Sequence, residues 1–221
     1  MTAIASARSQ PTAAHLIHAR FAALTGAAFA LVYLLGTASL NAPIGATDQK
    51  LVEFWSDSGN QRIAVFSMFC FMVAGLVFLV FMSHVRTALA SAGDKASEIV
   101  FGSSLIFVAL LAVSGAARGV IGVAAQAGKD PLPGPDILRY LPQVSYASGG
   151  LALVAGALAI GTTSWMIMRT GVFARWLAWL GFVAALAIVV CNVALIGVMA
   201  IPAMLFWALG MSFELWRTSK A

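Results

Sequence analysis

The sequence predicts an all-α fold, a polytopic membrane bundle of six transmembrane helices with both termini cytoplasmic. Three observations lead there. Six stretches are each long and apolar enough to cross a bilayer, and almost no charge lies inside them. Of 221 residues, 61% are hydrophobic and only 10% charged, where a soluble domain carries roughly a quarter. Mean hydropathy is +0.94, which excludes a water-soluble fold. The apolar runs do not alternate as barrel strands would, so helices are the remaining way to satisfy the backbone in lipid. At about 20 apolar residues per crossing, six helices leave no room for a second, soluble domain.

The crossings fall at residues 20–40, 62–85, 99–125, 144–168, 176–196 and 201–216. They form one transmembrane domain, 20–216, between a cytoplasmic tail, 1–19, and a short cytoplasmic tail, 217–221. The first apolar run exceeds the h-region of a signal peptide and no Ala-x-Ala-like site follows it, so it reads as a retained crossing. The segment 99–125 is longer than a bilayer requires and is expected to tilt or project. Little more than Gly197 to Ala200 separates the last two crossings, which predicts a tight helical hairpin.

Two longer connections have structure of their own. Between residues 47 and 58, Leu51, Phe54 and Trp55 share a helical flank, Asp48 stands near the start, and Gly59-Asn60 reads as a stop. A short interfacial helix capping the outer face is expected. The connection 128–142 holds Pro131, Pro133, Pro135 and Pro142, a density that argues against regular helix and for a rigid extended path, a lid or a strap.

Orientation follows from Lys and Arg, which accumulate on the cytoplasmic side. With the N-terminus inside, eight basic residues fall inside (Arg8, Arg20, Arg86, Lys95, Arg169, Arg175, Arg217, Lys220) and five outside (Lys50, Arg62, Arg118, Lys129, Arg139). Most acids, Asp48, Glu53, Asp57, Asp130 and Asp136, lie outside. Both tails are therefore expected on the cytoplasmic side of the membrane. The net charge of +5 suits anionic headgroups. Without a soluble basic face, nucleic acid is not an expected partner.

Small residues mark the packing seams. Ser145, Gly149, Ala152, Gly156, Ala159 and Thr163 recur at alternating spacings of four and three, which puts them on one stripe. The segment 99–125 carries Gly115, Gly119 and Gly122 on one side and is the expected partner of that stripe. Packing within a monomer outweighs a homodimer seam, although a homo-oligomer or a partner membrane subunit stays open.

Residues able to carry chemistry are few. His15 and His18 fall in the tail and His84 at a helix end, an arrangement poor for haem, and no metal or other cofactor is expected. Cys70 and Cys191 lie at similar depth and meet if the second and fifth crossings are neighbours; inert packing outweighs redox work. Serines lack a His or Asp at comparable depth, so no catalytic residue is assigned. Arg118 stands out. It sits deep in its crossing, one turn beyond Ser114 and between Gly115 and Gly119, where a charge costs at least roughly 2.5 kcal/mol near the bilayer centre. Either it snorkels or pairs structurally, the weightier reading, or it faces the bundle as a fixed cation for an anionic ligand or lipid headgroup. Asn192 can add a hydrogen bond inside the bundle, and Glu214 can pair with Arg217 or Arg86. Ser114, Arg118 and Asn192 are the candidate ligand residues.

Two segments carry a resemblance. The turn Arg169-Thr-Gly-Val-Phe-Ala-Arg-Trp-Leu-Ala-Trp-Leu-Gly181, and Leu51-Val-Glu-Phe-Trp-Ser-Asp-Ser-Gly-Asn-Gln-Arg-Ile63 leading to a helix that ends Phe-Leu-Val-Phe-Met-Ser-His-Val-Arg86, resemble segments of bacterial six-helix integral membrane proteins of unknown function. Those proteins often have proline where this chain has Ala174. The resemblance implies the fold and a location in a bacterial cytoplasmic membrane and brings no catalytic residues. Two functions are therefore expected in order: a non-enzymatic lipid- or amphiphile-binding or accessory membrane subunit, then a small transporter or permease for an anionic or amphiphilic solute. A membrane-embedded enzyme ranks third, because Asp130, Asp136 and His84 do not share one side of the membrane.

Overall fold

A computed structural model describes residues 13–40, 42–43, 45–128 and 131–218, with side chains from residue 21 onward. Arg8, Lys129, Asp130, Lys220 and the side chains of His15, His18 and Arg20 lie outside the described residues. Seven α-helices and no strand occur among the described residues: α1 (Ala13–Ser39), α2 (Asp48–Ser56), α3 (Ser58–Ala88), α4 (Asp94–Val123), α5 (Pro135–Thr170), α6 (Arg175–Val193) and α7 (Ile201–Thr218). All but α2 belong to segments long and apolar enough to span a membrane. The apolar span of α1 begins at Phe21, while its helical backbone starts at Ala13 and so includes His15 and His18.

Each spanning helix packs on its neighbours in the chain, and α7 returns to α1, so the six form a closed ring. Phe29, Phe78, Phe107, Met204 and Trp207 fill its interior. Phe78 lies 4.9 Å from Phe29 and 4.4 Å from Phe107 between ring centroids. Large apolar residues such as Leu76, Leu186, Val193 and Phe206 remain exposed on the outside, the surface a bilayer covers. One end of the ring carries the α1–α3 and α4–α5 connections and is called the loop end below; α1 starts and α7 finishes at the other.

Local chemistry explains where several elements differ from expectation. The helix at 47–58 forms as α2, but it stops at Asp57 rather than at Gly59-Asn60. The Asp57 carboxylate accepts the Gly59 N–H at 2.7 Å, an N-cap that opens α3 and draws Gly59 and Asn60 into its first turn. Among the described residues, the proline-rich connection lacks regular structure only over 131–134. Pro135 occupies the first turn of α5, where its missing N–H costs nothing, and Pro142 lies within the same helix. Burial in a helical bundle lets a helix tolerate such a residue. As a result α5, at 36 residues, is longer than α4.

The hairpin expected from the last two crossings is looser than its short connection suggests. Leu195 takes a left-handed φ of 59° and a 3₁₀ turn, Gly197–Ala200, follows, and α7 packs more on α1 than on α6. At the opposite reversal Gly171, at φ +65°, caps α5 by donating its N–H to the Ile167 carbonyl at 2.9 Å. Cys70 on α3 and Cys191 on α6 are both free, and their helices stand across the ring from each other rather than side by side.

The glycine seam also pairs differently. The small stripe of α5 does face α4, with Gly149 against Ser114 and Gly156 against Phe107. Gly115, Gly119 and Gly122 face α3 instead, where a Cβ at Gly119 would come within 2.5 Å of Met68 Cβ and one at Gly122 would strike the Gln61 carbonyl oxygen. Glycine lets two backbones approach, and α4 spends its glycines on α3 because Phe71 and Met68 fill the space they leave. Ala152, at 0% exposed, lies on the α5 stripe between its two glycines.

Candidate functional site

A cavity of about 250 Å³ opens near the loop end of the ring. Its walls come from the end of α1 (Tyr33, Thr37) and Leu40 just after it, from Phe71 of α3, from Leu111, Ser114 and Arg118 of α4, and from Ser145, Tyr146, Gly149 and Gly150 of α5. Trp55 of α2 and Gly197, Val198 and Ile201 before and within α7 also line it. Arg118 is the one charged residue among them.

The Arg118 guanidinium turns inward. Its Nη2 donates to the Leu40 carbonyl at 2.5 Å and to the Thr37 carbonyl at 3.2 Å. A helix leaves its last carbonyls without intrahelical partners, and those oxygens sit at the negative end of its dipole. The side chain from α4 therefore serves as the C-terminal cap that α1 lacks. Ser67 Oγ shares the task, donating to the Gly36 carbonyl at 2.7 Å. The guanidinium also lies over the Phe71 ring, 5.5 Å from its centroid, and Phe71 is stacked on Tyr33 at 5.6 Å with an interplanar angle of 15°. The guanidinium is thus paired structurally with the end of α1 and also faces the cavity.

The donors of the guanidinium are unequally used. Nη2 is committed, and Nε is sealed without a partner, which leaves Nη1 as the open edge. No carboxylate pairs with Arg118 among the described residues; the ion pairs there are Arg139 with Asp48 and Arg217 with Glu214. The Tyr33 hydroxyl makes no hydrogen bond among the described residues, although Tyr33 is only 3% exposed and lines the cavity. Ser114 is satisfied, its Oγ donating to the Ser145 carbonyl at 2.7 Å.

Asn192 stands behind the wall. Its Nδ2 donates to the Ile188 carbonyl at 2.8 Å, and its Oδ1 rests against the lining residues Gly150 and Gly197, where an added Cβ would come within 2.7 Å. Of the three candidate ligand residues, the structure thus brings Ser114 and Arg118 to the cavity surface and keeps Asn192 one layer away. Tyr33, Trp55, Phe71 and Tyr146 complete the site and had no signal of their own in the sequence, since each reads locally as an ordinary core or interfacial aromatic.

α2 roofs the cavity. Leu51 and Trp55 are buried in a small cluster with Leu40, Ala64, Ile121 and Leu138. A polar chain ties the roof down: Gln126 Nε2 donates to Gln61 Oε1 at 2.7 Å, and Gln61 Nε2 donates to the Trp55 carbonyl at 2.8 Å. Arg139 pairs with Asp48 on the exposed side.

Glu214, near the terminal end, is 1% exposed. It pairs with Arg217 at 3.0 Å, one of the two partners expected, but the approach is too oblique for a hydrogen bond, so both oxygens lack one. No group of three or more metal-ligating side chains occurs among the described residues. No known family, curated protein or solved structure matches this chain.

Proposed function

We propose that this protein is a non-enzymatic binding or accessory subunit of a bacterial cytoplasmic membrane, with both termini cytoplasmic and the Arg118 cavity toward the outer leaflet, holding the anionic end of a lipid or amphiphile. The observation that carries this reading is a cation within a helix apolar enough to span a membrane that faces a cavity and has no carboxylate partner among the described residues. Carbonyl oxygens neutralise only part of a guanidinium, and a low-dielectric cavity strengthens the attraction for a missing anion. Apolar and aromatic walls with few polar groups are the usual composition of a small-molecule site. The resemblance to bacterial six-helix membrane proteins supports the location, and a homo-oligomer or partner membrane subunit belongs to the same reading.

The test is native mass spectrometry of gently extracted protein, wild type beside Arg118→Gln. An adduct of defined mass that disappears in the variant is the expected result. An adduct of equal occupancy in both would refute the assignment of Arg118. A second reading, a permease for an anionic or amphiphilic solute, is favoured by the break in regular α-helix over residues 194–200 beside the cavity, because interrupted helix next to a cavity is a common feature of transport sites. Solute flux into proteoliposomes above that of empty vesicles would favour it over simple binding.

A further inference from the structure

We infer that the ligand is a singly charged, single-chain amphiphile whose oxyanion headgroup meets Arg118 Nη1 and the Tyr33 hydroxyl, and whose chain leaves sideways between Tyr146 and Val198. This rests on the binding reading above and narrows it to a chemical class.

Charge sets the headgroup. Arg118 supplies a single positive charge, and no second cation lines the cavity among the described residues. A dianion would bring an uncompensated charge into an apolar enclosure, which is costly. Donor geometry agrees. A guanidinium commonly meets either a carboxylate or a phosphate with its two-pronged edge, but here Nη2 is held by the Thr37 and Leu40 carbonyls and Nε is sealed, so the number of donors limits the headgroup to a small one. Two donors remain, Nη1 and the Tyr33 hydroxyl, enough for the oxygens of a carboxylate. The Phe71 ring touches both groups, with the guanidinium 5.5 Å from its centroid and the Tyr33 ring stacked at 5.6 Å.

Size and exposure set the chain. At about 250 Å³ the cavity is smaller than the roughly 300 to 1,000 Å³ that engulfs a drug-sized ligand, so it takes a headgroup and the first few carbons. A diacyl lipid branches at its glycerol, next to the headgroup, and would place the branch inside; one alkyl chain passes out as it entered. Two lining residues are substantially exposed, Tyr146 at 42% and Val198 at 47%, and they mark the mouth. Tyr146 belongs to α5 and Val198 to the turn before α7, and the Tyr146 hydroxyl donates to the Leu195 carbonyl at 3.1 Å, bridging the two sides of the opening. A ring with a polar tip at this depth suits the bilayer interface.

The experiment uses the full chain in phosphatidylcholine nanodiscs at about pH 8, where carboxylates are ionised and phosphate monoesters dianionic. Laurate, dodecyl phosphate, dodecanol and a dilauroyl phosphatidylglycerol are titrated in and bound probe is read by native mass spectrometry. Laurate is expected to bind at least about tenfold more tightly than the other three. Tyr33→Phe, which keeps the ring stack, should weaken laurate by roughly five- to tenfold, and Val198→Trp, at the exposed mouth, should exclude it while leaving the α1 cap intact. Dodecyl phosphate or the diacyl lipid binding as tightly as laurate, with Arg118→Gln abolishing both, would overturn the ligand class and leave the site standing. Laurate binding that ignores Tyr33→Phe and Val198→Trp would overturn the inference. Absence of binding by every probe to folded wild-type protein would remove the inference and count against the site as well.

Discussion

Replacing Gly122 with alanine is expected to destabilise the bundle, while the same replacement at Gly102 on the same helix is expected to leave it unchanged or slightly stronger. A Cβ at Gly122 would strike the Gln61 carbonyl oxygen, lie 3.0 Å from Val65 Cγ2 and 3.2 Å from the Gln61 carbonyl carbon. Two of those atoms are backbone of α3, which cannot rotate away, so α3 and α4 would have to separate where they pack most closely. Overpacking of this kind costs typically 1–3 kcal/mol, and the gain from alanine in a helix returns at most about 1 kcal/mol. Because the struck atoms are backbone, the cost falls at the upper end of that range, and the net loss is about 2 kcal/mol, a factor of roughly 30 in the folded-to-unfolded ratio. At Gly102 an added Cβ meets nothing within 4 Å, so only the helix gain remains. Reversible unfolding in mixed micelles with increasing dodecyl sulfate, followed by circular dichroism and loss of the tertiary tryptophan signal, measures both variants. Equal stability of the two, or Gly122→Ala as the more stable, would refute the close α3–α4 approach.

Three further predictions follow from single contacts. Arg217→Ala leaves the Glu214 carboxylate, 1% exposed, without its cation and should cost roughly 1–3 kcal/mol; adding Glu214→Gln in the same background should recover most of it, and a double-mutant cycle in the unfolding assay checks the coupling. Cys70 and Cys191 should not form a disulfide under a mild oxidant such as copper phenanthroline, because α3 and α6 are not neighbours, and a maleimide small enough to partition into the bilayer should label half-buried Cys191 before buried Cys70; a crosslinked monomer on a non-reducing gel would contradict the helix order. Asp48→Asn removes an exposed pair with Arg139 and should change stability by less than about 1 kcal/mol, since the roof is held by buried Leu51 and Trp55; a larger fall in the same assay would mean that the ion pair, and not the apolar contact, fastens α2.

The membrane class, the number of crossings and the existence of α2 were legible in the sequence because each depends on local composition. An apolar run of sufficient length has one outcome in lipid, a helix, and the Leu51, Phe54, Trp55 flank needs only helical periodicity to appear. Local punctuation was less legible. Asp57 outcompeted Gly59-Asn60 as the boundary because a carboxylate two residues upstream can cap a helix start, and Pro135 and Pro142 did not stop α5 because one stands in the first turn and the other within a bundle that tolerates it.

The candidate site divides along the same line. The sequence by itself determined that Arg118 is costly where it stands and must be compensated, since the price of a charge in lipid does not depend on the neighbours. It also marked Ser114 at the same seam. Only the tertiary structure decided how the compensation is made: by the free carbonyls at the end of α1, some eighty residues away in the chain, by the Phe71 ring, and by a cavity under α2. The same is true of the glycines, whose spacing announced a close helix contact but not whether α3 or α5 would fill it. Periodicity tells which face of a helix is narrow; which helix occupies that face is settled by the side chains of the partner, here Met68 and Phe71, and these become visible as partners only once the ring has closed.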